Sequence, residues 1–76
     1  MLYRLRGLRE DRDLSQEEMA AILNISQSSY SDYELEKTNI PIISLRRLAK
    51  YFNTSVDYIL GLTDDPRPYP RSKNIL

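Results

Sequence analysis

Seventy-six residues make one small domain, and a chain of that length buries only about 60% of the surface its unfolded form exposes, so its core must be economical. Eleven Lys and Arg against eleven Asp and Glu leave no net charge, which removes bulk charge as a pointer to nucleic acid or membrane. Without Cys or His there are no disulfides, cysteine nucleophiles, usual zinc sites or histidine acid–base chemistry, and no apolar run nears the roughly 18 residues of a membrane span. The expectations are a reducing, cytoplasmic location, no membrane association, no metal and no cofactor. The charge is unevenly placed: residues 66–76 hold Arg67, Arg71 and Lys73 and no acid, leaving residues 1–65 net negative.

The apolar positions keep helical spacing almost throughout. Leu2, Leu5 and Leu8 form one stripe of a first helix, with Arg4, Arg6, Arg9 and Arg12 on other faces, ending near the polar cluster at 10–13. Ser15 followed by Glu18 has capping-box spacing and starts a second helix from Gln16 to about Leu23, with Met19, Ala20 and Leu23 inward. Asn24, tolerant of left-handed backbone, ends it. Ser26 caps a third helix, Gln27 to about Leu35, with Tyr30 and Tyr33 inward, their hydroxyls reaching the surface, and Gln27, Ser28, Ser31 and Asp32 outward.

A polar connection at 36–40 closes on Pro41, a residue suited to the first turn of a fourth helix. Leu45, Leu48, Ala49 and Phe52 give that helix its core face. Asn53 breaks it, Thr54 or Ser55 caps a fifth, and Val56, Ile59 and Leu60 complete the core before Gly61. Pro66, Pro68 and Pro70 cannot continue a helix. The fold expected is all-α: a five-helix domain over 1–63, then a Pro-rich C-terminal tail over 64–76, flexible or dimer-associated, with Tyr69, Ile75 and Leu76 as its apolar groups.

The second and third helices, joined tightly around Asn24, have the geometry of a helix-turn-helix over residues 15–35. Ala20 is small where the helices cross, Asn24 reverses the backbone, and Ile25 plugs the corner and fixes the angle. The start of the third helix then projects and can enter a major groove about 12 Å wide. Gln27 can make paired hydrogen bonds to adenine, and Ser26, Ser28 and Ser31 are short donors and acceptors. Gln16, at a helix start, suits a phosphate, and Lys37 suits a second.

The strings LSQEEMA, ILNISQSSYSDYE and FNTSVDYILG, within residues 5–61, resemble the phage repressor and Cro-type, or Xre-type, helix-turn-helix family. The resemblance implies a lambda-repressor-like domain in which Ser26, Gln27, Ser28, Ser31 and Asp32 face bases. Gln16, with Ser29, Lys37 and Asn39, would meet phosphates, and Gln16 would support the recognition helix. Arg9 and Glu34 match a family pair tying the first helix to the end of the third, beside Ala20, Asn24, Ile25 and Tyr30 in the structural set. The implied function is a transcriptional regulator of bacterial or phage type, a repressor binding double-stranded DNA as a homodimer on a pseudo-palindromic operator. Asn53, Tyr58, Leu62 and Tyr69 form the expected dimer contact.

This chain departs from the family where Asn24 and Glu36 replace glycines, and where the loop at 38–40 is not basic. Fewer cations there predict a shallower salt dependence. No separate small-molecule ligand domain is expected. Glu17–Glu18 and Asp64–Asp65 lack a base, nucleophile or metal-ligand companion, so no enzyme is expected, and Arg46, Arg47 and Lys50 read as a solvated face. The acidic character of Asp32, Glu34 and Glu36 keeps open a protein-binding module such as an antitoxin or anti-regulator. An RNA binder has only the tail's cations and Tyr69 behind it.

Overall fold

A computed structural model describes residues 1–70. It contains α1 (Tyr3–Asp11), α2 (Gln16–Leu23), α3 (Gln27–Glu34), α4 (Ile42–Tyr51) and α5 (Val56–Ile59), with no strand among the described residues. No helix there is long and apolar enough to cross a membrane.

All five helices end by one device. A residue with positive φ follows the last turn, and the next N–H reaches back five residues to a helix carbonyl, the Schellman arrangement. The reversing residues are Asp13, Asn24, Glu36, Asn53 and Gly61, with φ of 54°, 57°, 59°, 52° and 78°. The bonds they permit run from Leu14 N to Arg9 O, Ile25 N to Ala20 O, Lys37 N to Asp32 O, Thr54 N to Ala49 O, and Leu62 N to Asp57 O, at 2.8–3.1 Å. Gly61 adopts this backbone freely, and Asn and Asp adopt it more readily than other side chains do. Glu36, where the family resemblance led to an expectation of glycine, takes this backbone with a side chain that disfavours it, at a cost of about 1 kcal/mol or more.

The helix starts divide by side chain. Ser15, Ser26 and Ser55 each accept a backbone N–H from the residue three on, which decides between Thr54 and Ser55 in favour of Ser55. Ser15 and Glu18 complete the capping box at 3.0 and 2.9 Å. α1 has no side-chain cap; instead Leu2 N–H donates to Glu34 O at 2.7 Å, so the chain entering α1 closes the end of α3. Pro41 sits one residue earlier than expected, at the cap position before α4 with ψ of 148°, because extended backbone delivers the chain to Ile42.

Leu5, Met19, Ala20, Leu23, Tyr30, Tyr33, Leu48, Ala49, Phe52 and Ile59 form one core to which every helix contributes. A large apolar side chain buried this way is worth about 1.5–3 kcal/mol. Leu60, expected in that core, is 39% exposed. α5 ends at Ile59, and the turn into Gly61 carries Leu60 off the buried face. Phe52 is buried from the position that ends α4 rather than from inside it.

The segment after α5 lies against the body. Arg4 donates to Thr63 O at 3.1 Å, pairs with Asp64 and stacks over the Tyr58 ring at 4.5 Å. Thr54 Oγ1 donates to Pro66 O at 2.7 Å, and the Tyr69 hydroxyl to Asp57 at 2.9 Å. Arg67 forks onto Asp65, and its hydrogen bonds hold that carboxyl at about 2. Ile75 and Leu76 lie outside the described residues.

Candidate nucleic-acid interface

α2 and α3 pack against each other more extensively than any other helix pair. Ala20 is buried at their junction, and its carbonyl takes the Ile25 N–H at 2.9 Å. Asn24, with φ 57° and ψ 47°, makes that bond reachable. Ile25 is half-buried against the core. The three residues expected to set the helix-turn-helix angle are thus together at its corner.

Two helix starts offer backbone donors. In α2 the Glu18 N–H is taken by Ser15, while the N–H groups of Gln16 and Glu17 lie in the first turn, beyond the reach of any intrahelical carbonyl. In α3 the Ser29 N–H is taken by Ser26, and those of Gln27 and Ser28 are placed in the same way. The two starts differ in charge: Glu17 and Glu18 stand in the first turn of α2, whereas the first turn of α3 has no acid. An anion meets less opposition at α3.

Gln27 and Ser28 are exposed on that turn, and Ser31 and Asp32 are half-buried farther along. The Ser26 hydroxyl accepts from Ser29 N and donates to Ser29 Oγ at 2.9 Å, so its hydrogen bonds are made inside the protein. Ser29 is half-buried and keeps its hydroxyl proton. Lys37 and Asn39 are exposed beyond α3.

At the other end of α3 lies a closed polar network. Glu34 is only 2% exposed, and Arg9 from α1 meets it with Nε at 2.7 Å and Nη2 at 3.3 Å. Arg9 Nη1 also donates to Leu14 O at 3.0 Å, tying in the α1–α2 connection. Gln16 Nε2 from α2 donates to Glu34 Oε1 at 3.4 Å, and the Tyr30 hydroxyl to Oε2 at 2.5 Å. No buried side-chain nitrogen or oxygen among the described residues lacks a partner. Burial pushes the Glu34 carboxyl up, but the donors Arg9, Tyr30 and Gln16 and the Arg9 charge outweigh it, and the net shift is downward. Burial, then the carboxylate partner, pushes the Tyr30 phenol well above its ordinary value, so it remains a donor.

Contrary to the expectation from sequence, the Tyr30 hydroxyl does not reach the surface: the residue is fully buried and its oxygen faces Glu34. Its role in the network was missed, although four-residue spacing on one helix face was the available signal. The other missed partner, Leu2 N on Glu34 O, has no signal in residue type. The residues expected at a dimer contact are dispersed in character: Asn53 is exposed at a reversal, Tyr58 is half-buried beneath Arg4, Leu62 is 73% exposed, and Tyr69 is exposed with its hydroxyl on Asp57.

A helix-turn-helix family profile matches residues 5–59. The chain is 47% identical over 72 residues to the "uncharacterized HTH-type transcriptional regulator YobD" of Bacillus subtilis (strain 168), covering 95% of this chain and 64% of that protein. It is 34% identical over 58 residues to the "HTH-type transcriptional regulator ImmR" of the same organism, covering 76% of this chain and 46% of that protein. The chain therefore spans from under half to under two-thirds of the length of these curated relatives. No solved structure matches the chain significantly.

Proposed function

Because the chain belongs to the helix-turn-helix family, we propose that it is a sequence-specific double-stranded DNA-binding regulator, a repressor that places α3 in the major groove of a pseudo-palindromic operator. One observation carries the reading: α3 presents exposed Gln27 and Ser28 at an acid-free first turn, while its far end is locked to α1 and α2 through Glu34. A recognition helix held rigidly loses little freedom on binding.

In this reading Gln27 and Ser28 lead base contact, with Ser31 and Asp32 deeper on the same helix and Ser26 shaping the turn. Gln16, Ser29, Lys37 and Asn39 meet phosphates. Lys37 is the single cation of that set, so salt dependence is shallow and affinity relies on pairing two domains. The pairing is a homodimer with recognition helices about 34 Å apart, its contact formed by exposed Leu62 with Asn53, Tyr58 and Tyr69. The DNA-binding domain is 1–63, and 64–76 is a tail that is flexible or contributes to that contact.

Selection from random duplexes, followed by footprinting, tests the reading. Gln27→Ala should relax discrimination at one or two base pairs by about 1–3 kcal/mol while leaving other positions unchanged. Unchanged selectivity would move readout elsewhere on α3. Failure to retain any duplex at low salt would favour a protein partner, although Glu34, buried and matched by Arg9, adds no accessible acid to such a surface.

A further inference from the structure

We infer that Tyr30 is a positioning residue for DNA binding, acting through Glu34 on Gln16; this rests on the DNA-binding reading above.

A carboxylate offers about four acceptor positions, and Glu34 fills them with two donors on each oxygen. Oε2 takes Arg9 Nε and the Tyr30 hydroxyl, and Oε1 takes Arg9 Nη2 and Gln16 Nε2. Tyr30 and Glu34 are four residues apart on α3, so the phenol sets the carboxylate's orientation from within the recognition helix. Arg9 and Gln16 arrive from other helices and meet a group already oriented. Phenylalanine would fill the same space; the hydroxyl adds nothing to packing and one bond to Glu34.

The Gln16 bond, at 3.4 Å, is the longest of the four and the first to fail if the carboxylate turns. Tyr30 and Glu34 are 0% and 2% exposed, so water cannot replace the lost phenol without opening the core. Gln16 is the first residue of α2, in the turn where its own backbone N–H and that of Glu17 lack an intrahelical carbonyl. Its remaining amide proton is aimed only as well as its bond to Glu34 is kept. Tyr30 touches no DNA in this arrangement and acts at second hand.

The test uses the full chain and a duplex obtained by selection, at a temperature where circular dichroism shows wild type and Tyr30→Phe fully folded. Tyr30→Phe should weaken binding about fivefold, roughly the value of one buried hydrogen bond. In a Gln16→Ala background the same change should alter affinity less than about 1.5-fold, because the pathway is already cut. A role confined to stability would leave affinity at that temperature untouched. In the free protein, the Gln16 side-chain amide protons should shift and exchange faster in Tyr30→Phe. Unchanged affinity, equal losses in both backgrounds, or an unmoved Gln16 amide overturns the inference. A wild-type chain that retains no duplex overturns the DNA reading and the positioning role with it. That outcome is distinguishable because the Gln16 amide still shifts in Tyr30→Phe. If Tyr30→Phe does not fold, the wild-type spectrum decides: a slowly exchanging Tyr30 hydroxyl proton supports the inference, and its absence overturns it.

Discussion

Arg9→Ala is expected to destabilise the domain by about 3–5 kcal/mol, because it leaves the Glu34 carboxylate buried without its counter-ion. The pair's side chains are 13% and 3% exposed, too enclosed for water to compensate. Against a total stability of about 5–10 kcal/mol for a chain this size, the loss removes a large share of the native stability. The variant should also change how stability responds to pH. In the wild type Glu34 binds its proton less readily than in the unfolded chain. Its contribution is therefore complete above an unfolded value of about 4.3 and is lost as pH falls through the lower folded value.

Burial is already the largest single influence on Glu34 and is outweighed only by its partners together; with Arg9 removed, Tyr30 and Gln16 alone oppose it, and the folded carboxyl is expected to titrate above its unfolded value. The contribution of Glu34 then reverses, and stability falls as pH rises from about 4.3 toward the raised value. Urea unfolding at pH 5 and pH 7 checks this: the variant should be less stable at pH 7, while Glu34 adds no such slope to the wild type. A loss below about 1 kcal/mol would place the pair among exposed ion pairs. Arg9→Met combined with Glu34→Leu and Tyr30→Phe should recover much of the loss, since removing both charges and the phenol bonded to them leaves no buried charge or hydroxyl unmatched.

Leu48→Ala should cost about 2–5 kcal/mol, from lost burial and the cavity left behind. Leu48 is fully buried on α4, a helix that packs on both α2 and α5 and so backs the helix-turn-helix without facing its exposed side. Duplex retention should therefore fail near the lowered melting temperature and return on cooling, with base preference unchanged. Altered preference in the cold would mean that α4 sets the angle of α3 in addition to holding the domain together.

The contrast between the two positions shows why the fold was more legible than the site. Leu48 was placed in the core by helical spacing, a one-helix property. Arg9 and Glu34 are 25 residues apart, and their pairing was expected only through resemblance to a family. Four-residue spacing was the one local signal for Tyr30 beside Glu34; nothing in residue type announced that Gln16 would converge on the same carboxylate, or that Leu2 would close the end of α3.

Sequence by itself determined most of the helix starts and ends. Ser15 with Glu18, Ser26, Asn24, Asn53 and Gly61 act through bonds that span at most five residues, and local spacing contains all the geometry such bonds need. Asp13 uses the same device and was equally local, but the polar run around it gave no reason to single it out. Tertiary structure alone decided what the helices do to one another: the four donors on Glu34, the exposure of Leu60, and the attachment of the segment after α5 to Arg4, Thr54 and Asp57. The Arg9 and Gln16 donors and the attachment of the segment after α5 depend on where separate elements meet, and crossing angles are set by the packing of the whole core rather than by any one stretch of chain.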